Sequence, residues 1–98
     1  MKIIELDLTG CESPYDLHVR IRKAFVFPEW YGKNWDAFWD LLWSECDADL
    51  VVIRGEHTLP RSFDKPLAIL HELLEDNVKE REASRIYGAN PFAYKIVD

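Results

Sequence analysis

Leu50-Val51-Val52-Ile53 is the stretch of the chain that decides the fold. The run is too short to cross a domain as a helix and too apolar to lie on a surface, so it predicts a buried strand. Outward from it on both sides, the hydrophobic pattern changes to a helical period and then returns to a strand near each end of the chain.

Toward the N-terminus, two helices and one strand are predicted. Asn34 is a natural N-cap for a helix that runs to about Cys46. Ser13 caps an earlier helix, since Pro14 falls at the first helical position and Asp16 stands three residues after the cap. Residues 2–8 carry alternating and clustered apolar side chains and predict the first strand.

Toward the C-terminus, a short helix or turn is predicted near residues 61–63. A long amphipathic helix follows, and residues 92–97 predict the last strand; the helix is marked by Leu67, Leu70, Leu73, Leu74 and Val78. Strands separated by helices favour a parallel sheet with right-handed crossovers. We therefore expect one domain over residues 1–98, a small α/β sandwich of three parallel strands packed with about four helices.

Charge and composition narrow the possible partners. Twelve Lys and Arg oppose eighteen Asp and Glu among 98 residues, which leaves a formal net charge of −6. Such a chain repels phosphates and attracts cationic surfaces, so direct nucleic acid binding is not expected.

No targeting or membrane-spanning pattern stands out, which predicts a cytoplasmic protein without membrane contact. Cys11 and Cys46 have no neighbouring Cys or His cluster that would indicate zinc, and both are interpreted as reduced, small hydrophobic residues.

The helix that Asn34 begins carries tryptophans and aspartates together on a side that the core does not require. At about 100° per residue, one arc holds the apolar residues expected inside, namely Trp35, Phe38, Leu41, Leu42 and Cys46. A second arc holds Trp39, Trp43, Asp36 and Asp40. The helix dipole favours Asp36 in the first turn, but Asp40 lies one turn further and repels it. Two interpretations remain: the second arc binds a cationic protein, or its tryptophans pack under neighbouring loops.

The loop before this helix favours the binding interpretation. Trp30, Tyr31, Gly32 and the cap Asn34 immediately precede the acidic arc, and Gly32 is expected to supply a backbone angle that other residues resist. Rigid aromatic rings beside fixed carboxylates suit the recognition of Arg and Lys side chains.

At these residues the chain resembles the barstar family of ribonuclease inhibitors. The stretch Phe27-Pro28-Glu29-Trp30-Tyr31-Gly32-Lys33-Asn34-Trp35-Asp36-Ala37-Phe38-Trp39-Asp40 is similar to the family's signature, and Asp16-Leu17-His18 extends the likeness into the first helix. Trp30 and Trp35 stand where a well-studied member has Tyr and Leu. The resemblance implies an inhibitor that plugs the active site of a basic ribonuclease, either secreted or a contact-delivered toxin, with acidic side chains where substrate phosphates would bind.

Carried over by position, the resemblance implies partner contacts by Trp30, Asp36, Trp39 and Asp40, with Gly32 and Asn34 shaping the loop. It also implies an acidic contact on the long helix, for which Glu75 and Asp76 fit equally well. Tyr31 and Trp43 join these residues in the predicted partner-binding set.

Other classes of function fit the sequence less well than an inhibitor. Asp36 and Asp40 lack the differing environments that acid–base catalysis needs, so no enzyme, cofactor or metal is expected. His71, Glu72 and Glu75 approach metal-ligand spacing without the second His, and are interpreted as a solvated helix face. The main alternative is an acidic interaction module whose basic partner is not a nuclease. The free protein is expected to be a monomer. His18 is placed on the wet side of the first helix and interpreted as a surface or hydrogen-bonded histidine.

Overall fold

Three strands form one parallel sheet whose centre is the apolar run. The computed structural model describes residues 1–97. Helices α1, α2 and α3 connect the strands in the order β1 Ile3–Asp7, α1 Pro14–Phe25, α2 Trp35–Ser44, β2 Leu50–Arg54, α3 Asp64–Ala83 and β3 Ala93–Val97. The strand order β1-β2-β3 and the parallel pairing confirm the predicted α/β class and sheet.

One face of the sheet carries the core. Ile4 and Leu6 of β1 are buried, whereas Ile3 and Glu5, which alternate with them along the strand, are exposed. Parallel partners share a face, so Ile4 and Val51 lie together on the helix side. Crossovers between parallel strands are as a rule right-handed, which for strands in sequential order places every connecting helix on one side. The buried residues of strands and helices form one cluster, in keeping with two layers.

The helix count was overestimated. Among residues 1–97 there are three α-helices, and the predicted element near residues 61–63 is a single 3-10 turn, Arg61–Phe63. The Phe63 amide donates to the Pro60 carbonyl, which closes the tighter i to i+3 ring. Pro66 then falls in the first turn of α3, where its missing N–H is tolerated. Further 3-10 turns lie at Glu56–Thr58 and Arg85–Tyr87.

Both predicted N-caps are confirmed. Ser13 has extended backbone, and its hydroxyl accepts from the Asp16 amide at 3.0 Å. Asn34 is also extended, and its side-chain oxygen accepts from the Ala37 amide at 2.8 Å. These caps satisfy amides that the first helical turn leaves without partners, so they set where α1 and α2 begin.

Aromatic packing holds α1, α2 and the connection between them together. The Phe25 ring meets the Phe38 ring edge-on at 5.7 Å between centroids, and Phe27 lies 5.1 Å from Phe25. Trp35 meets Phe38 edge-on at 5.8 Å.

Across residues 1–97, no helix combines the length and apolar character that crossing a membrane requires.

Candidate functional site

A groove of about 430 Å³ runs between α2 and α3. Its lining combines three carboxylates with apolar and aromatic side chains; the lining residues are Trp35, Asp36, Trp39, Asp40, Ile69, Leu73 and Asp76. Among residues 1–97, no Lys or Arg lines the groove. Such a groove can accept a cationic group that has an apolar or planar stem, because the apolar and aromatic side chains contact the stem while the carboxylates meet the charge.

Helix α2 supplies two of the carboxylates. Asp36 lies in the first turn and Asp40 one turn later, and both side chains are exposed. Among residues 1–97 neither side chain forms an ion pair, so their charges remain available to a partner. The second arc predicted from the sequence therefore opens in part onto this groove, with Trp39 half-buried between the core and the groove.

Helix α3 supplies the third carboxylate, and it is that of Asp76. Ile69, Leu73 and Asp76 follow one another at helical spacing along the groove wall. Glu75 is absent from this wall, and its carboxylate accepts a hydrogen bond from the Tyr94 hydroxyl at 3.0 Å. Of the two residues that fitted equally well in sequence, the structure brings Asp76 and not Glu75 beside Asp36 and Asp40.

The connection between α1 and α2 presents one aromatic ring and buries another. Trp30 is 72% exposed, whereas Tyr31 is only 2% exposed. The Tyr31 amide donates to the Pro28 carbonyl at 3.0 Å, and its ring lies 5.5 Å from Phe27. Burial raises the pKa of the Tyr31 phenol. Tyr31, predicted to contact a partner, is therefore part of the core in this structure.

Gly32 does not adopt the backbone angle predicted for it. The left-handed residue of the loop is Lys33, with φ of 51°, and Gly32 has no positive φ. The position is instead close to the cap side chain: a Cβ at Gly32 would lie 2.9 Å from Asn34 Nδ2, which donates to the Gly32 carbonyl at 3.2 Å. A glycine thus leaves room for the cap of α2.

Trp43 lies apart from the groove, at the C-terminal end of α2. It is 43% exposed, and the Arg81 guanidinium lies 5.2 Å from its ring centroid. Arg81 Nη2 also donates to the carbonyls of Leu42, Trp43 and Cys46 at 3.1 to 3.3 Å. A cation at these otherwise unpaired carbonyls is favoured by the helix dipole. Arg81, which sequence reasoning missed, ties α2 to α3 and so maintains the groove between them.

His18 lies in the core and not on the wet side of α1, where the sequence placed it. It is 6% exposed, with Nδ1 2.6 Å from the Tyr31 hydroxyl. Its ring centroid lies 4.4 Å from that of Trp35. The helical periodicity does indicate this burial, because at about 100° per residue His18 falls about 20° from buried Phe25 on the helix circumference.

The residues with partial metal-ligand spacing are used otherwise. His71 Nε2 lies 2.7 Å from a carboxylate oxygen of Glu56, which joins α3 to the turn after β2. Within the described part of the chain, no three Cys, His, Asp or Glu side chains are grouped to hold a metal ion.

Fold and groove together define a class: a small two-layer α/β protein with an acidic, aromatic-lined groove between two helices. The chain belongs to the barstar family, because the family model described as "Barstar (barnase inhibitor)" matches residues 1–93. A Bacillus subtilis (strain 168) protein named "Putative ribonuclease inhibitor YrdF" is 28% identical over 81 residues, 78% of this chain and 89% of that protein. The family resemblance predicted from residues 27–40 is thereby confirmed.

Proposed function

We propose that this protein binds and blocks the active site of a basic ribonuclease, acts as the immunity protein for a ribonuclease toxin, and catalyses no reaction. The observation that carries the proposal is the convergence of Asp36, Asp40 and Asp76 in one groove that no basic side chain lines. Membership of a family described as barnase inhibitors, and the printed name of the Bacillus relative, support the same class of function.

Charge complementarity supports a nuclease as the partner. A ribonuclease must hold anionic phosphates, so its active site presents Arg, Lys or protonated His side chains in a fixed arrangement. Three carboxylates on two packed helices offer fixed anions to the same cations, and the net charge of −6 keeps RNA itself away. A protein that offers carboxylates where RNA offers phosphates competes directly with the substrate.

Exposed aromatic surface supports a protein partner over a free ion or small molecule. Trp30, at 72% exposure, stands on the connection that leads into the cap of α2, and Trp39 lines the groove itself. Tryptophan is enriched among residues that dominate protein–protein binding energy, where a rigid ring fills a pocket of the partner. The proposed surface, which we term the acidic face, comprises Trp30, Asp36, Trp39, Asp40 and Asp76.

Co-expression with ribonucleases encoded beside this chain's gene tests the proposal in cells. We expect one of them to be toxic alone and tolerated when this chain is present. With purified proteins, the chain should suppress hydrolysis of a fluorogenic RNA, and Asp40→Ala should relieve the suppression.

Lys79→Ala and Glu82→Ala provide matched controls, because both residues are exposed on α3 and neither lines the groove. These variants should inhibit as well as the parent. If no ribonuclease is inhibited and a pull-down from the native host instead returns a basic protein without nuclease activity, the chain is an interaction module of another kind.

A further inference from the structure

We propose that His18 is a positioning residue for the acidic face, whose neutral imidazole clamps the loop over residues 28–34 onto α1. The proposal rests on the proposed function for the importance of that loop, but the clamp itself is a property of the free protein. His18 touches no exposed part of the acidic face, so its effect on binding would act through Tyr31 and Trp35.

The imidazole contacts both the loop before α2 and the first residue of α2. Nδ1 of His18 shares a hydrogen bond of 2.6 Å with the Tyr31 hydroxyl, on the loop. The opposite contact is the Trp35 ring, 4.4 Å between centroids, in the first residue of α2. One side chain of α1 therefore contacts the loop just after Trp30 and the helix just before Asp36.

A second anchor holds the start of the loop. Arg22, one turn after His18 on α1, donates from Nε to the Pro28 carbonyl at 3.4 Å, and its own carbonyl accepts from the Phe27 amide. With Pro28 and Tyr31 both tied to α1, the exposed Trp30 is held between two attached residues. Such restraint lowers the conformational entropy lost when a partner binds.

The surroundings of His18 favour its neutral form. The titratable group that faces it is the Tyr31 phenol from the loop, while α2 presents the uncharged Trp35 ring, and Arg22 on α1 is directed to Pro28. Burial lowers the pKa of His18 from its ordinary value of 6.5. An imidazolium here would lie against aromatic rings, and among residues 1–97 no carboxylate pairs with it. Burying an unpaired charge is unfavourable.

Acid should therefore release the loop. When the clamp opens, His18 reaches solvent and its pKa returns toward 6.5, so the open form binds the proton more readily than the clamped form. The clamp is at full strength above pH 6.5 and weakens as the pH falls toward the lowered pKa of the clamped state. Below that lower value both forms are protonated, and the weakening stops.

Amide hydrogen exchange of the free protein tests the clamp without any partner. The Tyr31 amide is the reporter, because it is buried and hydrogen-bonded to Pro28, and the amides of β2 report on global opening. Between pH 6.5 and 5, the protection factor of the Tyr31 amide should fall by up to about tenfold per pH unit while β2 keeps its protection.

Neutral isosteres give the matched comparison. His18→Asn retains a polar group at the δ position that faces Tyr31 and cannot be protonated, so its loop protection should not depend on pH. His71→Gln serves as control, since His71 uses Nε2 toward Glu56 on another part of the fold; it should keep the parent's pH profile. A parent and a His18→Asn variant with identical pH profiles would overturn the proposal.

Tyr31→Phe keeps the ring and removes the hydroxyl, so the fold should survive while loop protection falls severalfold at neutral pH. Unchanged protection in this variant would also count against the clamp. Once a ribonuclease is known, the ratio of dissociation constants of parent and His18→Asn should rise as the pH falls. Taking the ratio cancels the titration of the nuclease itself, and failure to find a nuclease leaves the exchange results standing.

Discussion

Glu75 and Asp76 are adjacent on α3, yet their carboxylates belong to different surfaces of the protein. Asp76 lines the groove opposite Asp36 and Asp40, and Glu75 accepts a hydrogen bond from Tyr94 on β3. Consecutive helical residues point about 100° apart, so a helix that packs on both α2 and the sheet necessarily separates them. The tie between Glu75 and Tyr94 helps to hold α3 on the sheet.

This separation predicts unequal effects of two neighbouring substitutions on binding. Asp76→Ala should weaken binding of the ribonuclease by about 2 kcal/mol, because it removes a groove carboxylate that meets a cation of the partner. Glu75→Ala should change affinity by less than about 0.5 kcal/mol, although it removes the hydrogen bond to Tyr94. Titration calorimetry at one salt concentration compares them, and a larger loss for Glu75→Ala would place the acidic face on the wrong side of α3.

Trp30 should contribute to binding without contributing to folding. Because the ring is 72% exposed, Trp30→Ala should alter the free energy of unfolding by less than about 0.5 kcal/mol while weakening nuclease binding by about 2 kcal/mol. Tyr87→Ala is the control, as this aromatic side chain is 86% exposed after α3 and lies outside the acidic face. Equal affinities of the two variants would show that Trp30 is not a contact.

Local chemistry in the sequence predicted the fold well. Ser13 and Asn34 identified two helix starts because a capping side chain satisfies amides within its own turn, so nothing distant can override it. The apolar run over residues 50–53 likewise required burial wherever the rest of the chain went, and it lies in strand Leu50–Arg54. The number of α-helices was overestimated by one, because the spacing of Pro60 and Pro66 leaves room for only one tight turn.

The site was predicted less completely, since its geometry depends on contacts between distant elements. The choice between Glu75 and Asp76 depends on how α3 rotates against α2, which no residue of α3 decides alone. Tyr31 and Trp30 are adjacent aromatics, and Tyr31 turns inward through contacts that the local sequence does not reveal, among them those with His18 on α1 and Phe27. The left-handed angle predicted at Gly32 is found at Lys33, whose Nζ lies 5.8 Å from the Tyr15 ring centroid on α1.

Val26 offers a route to a more stable protein. It caps α1 in the left-handed conformation with φ of 57° and ψ of 43°, which a β-branched residue adopts only under strain, and it is 82% exposed. Val26→Gly should relieve this strain with little loss of packing and raise the free energy of unfolding by about 1 kcal/mol. Denaturant melts measure the change.

Ala68→Gly is the matched control, because Ala68 is exposed and lies inside α3. There the same glycine should destabilise the protein by about 0.5 to 1 kcal/mol. If Val26→Gly were as destabilising as Ala68→Gly, the left-handed angle of Val26 would carry no strain.

Association with the nuclease should be steered by charge. An acidic face that approaches a cationic active site attracts it over a distance set by screening, which is about 10 Å at 0.1 M salt. The association rate constant should therefore fall steeply between low and physiological ionic strength, while the dissociation rate constant changes little. Stopped-flow measurements across this range check the prediction, and a change of less than about threefold in the association rate would rule out steering by this face.

Asp40 should weaken the fold that carries it while strengthening the complex. Asp36 and Asp40 stand one turn apart on the same side of α2, and like charges at this spacing repel by a few tenths of a kcal/mol. Asp40→Asn should therefore leave the free protein unchanged or slightly more stable, whereas Asp36→Asn should gain less because the first-turn dipole contribution is also lost. Both substitutions should weaken nuclease binding by far more, since each leaves a cation of the enzyme without a charged partner. Denaturant melts paired with nuclease titrations measure the two effects on the same samples. An Asp40→Asn variant that lost more than about 1 kcal/mol of stability yet bound the nuclease normally would make Asp40 a structural residue, and the acidic face would have to lie elsewhere.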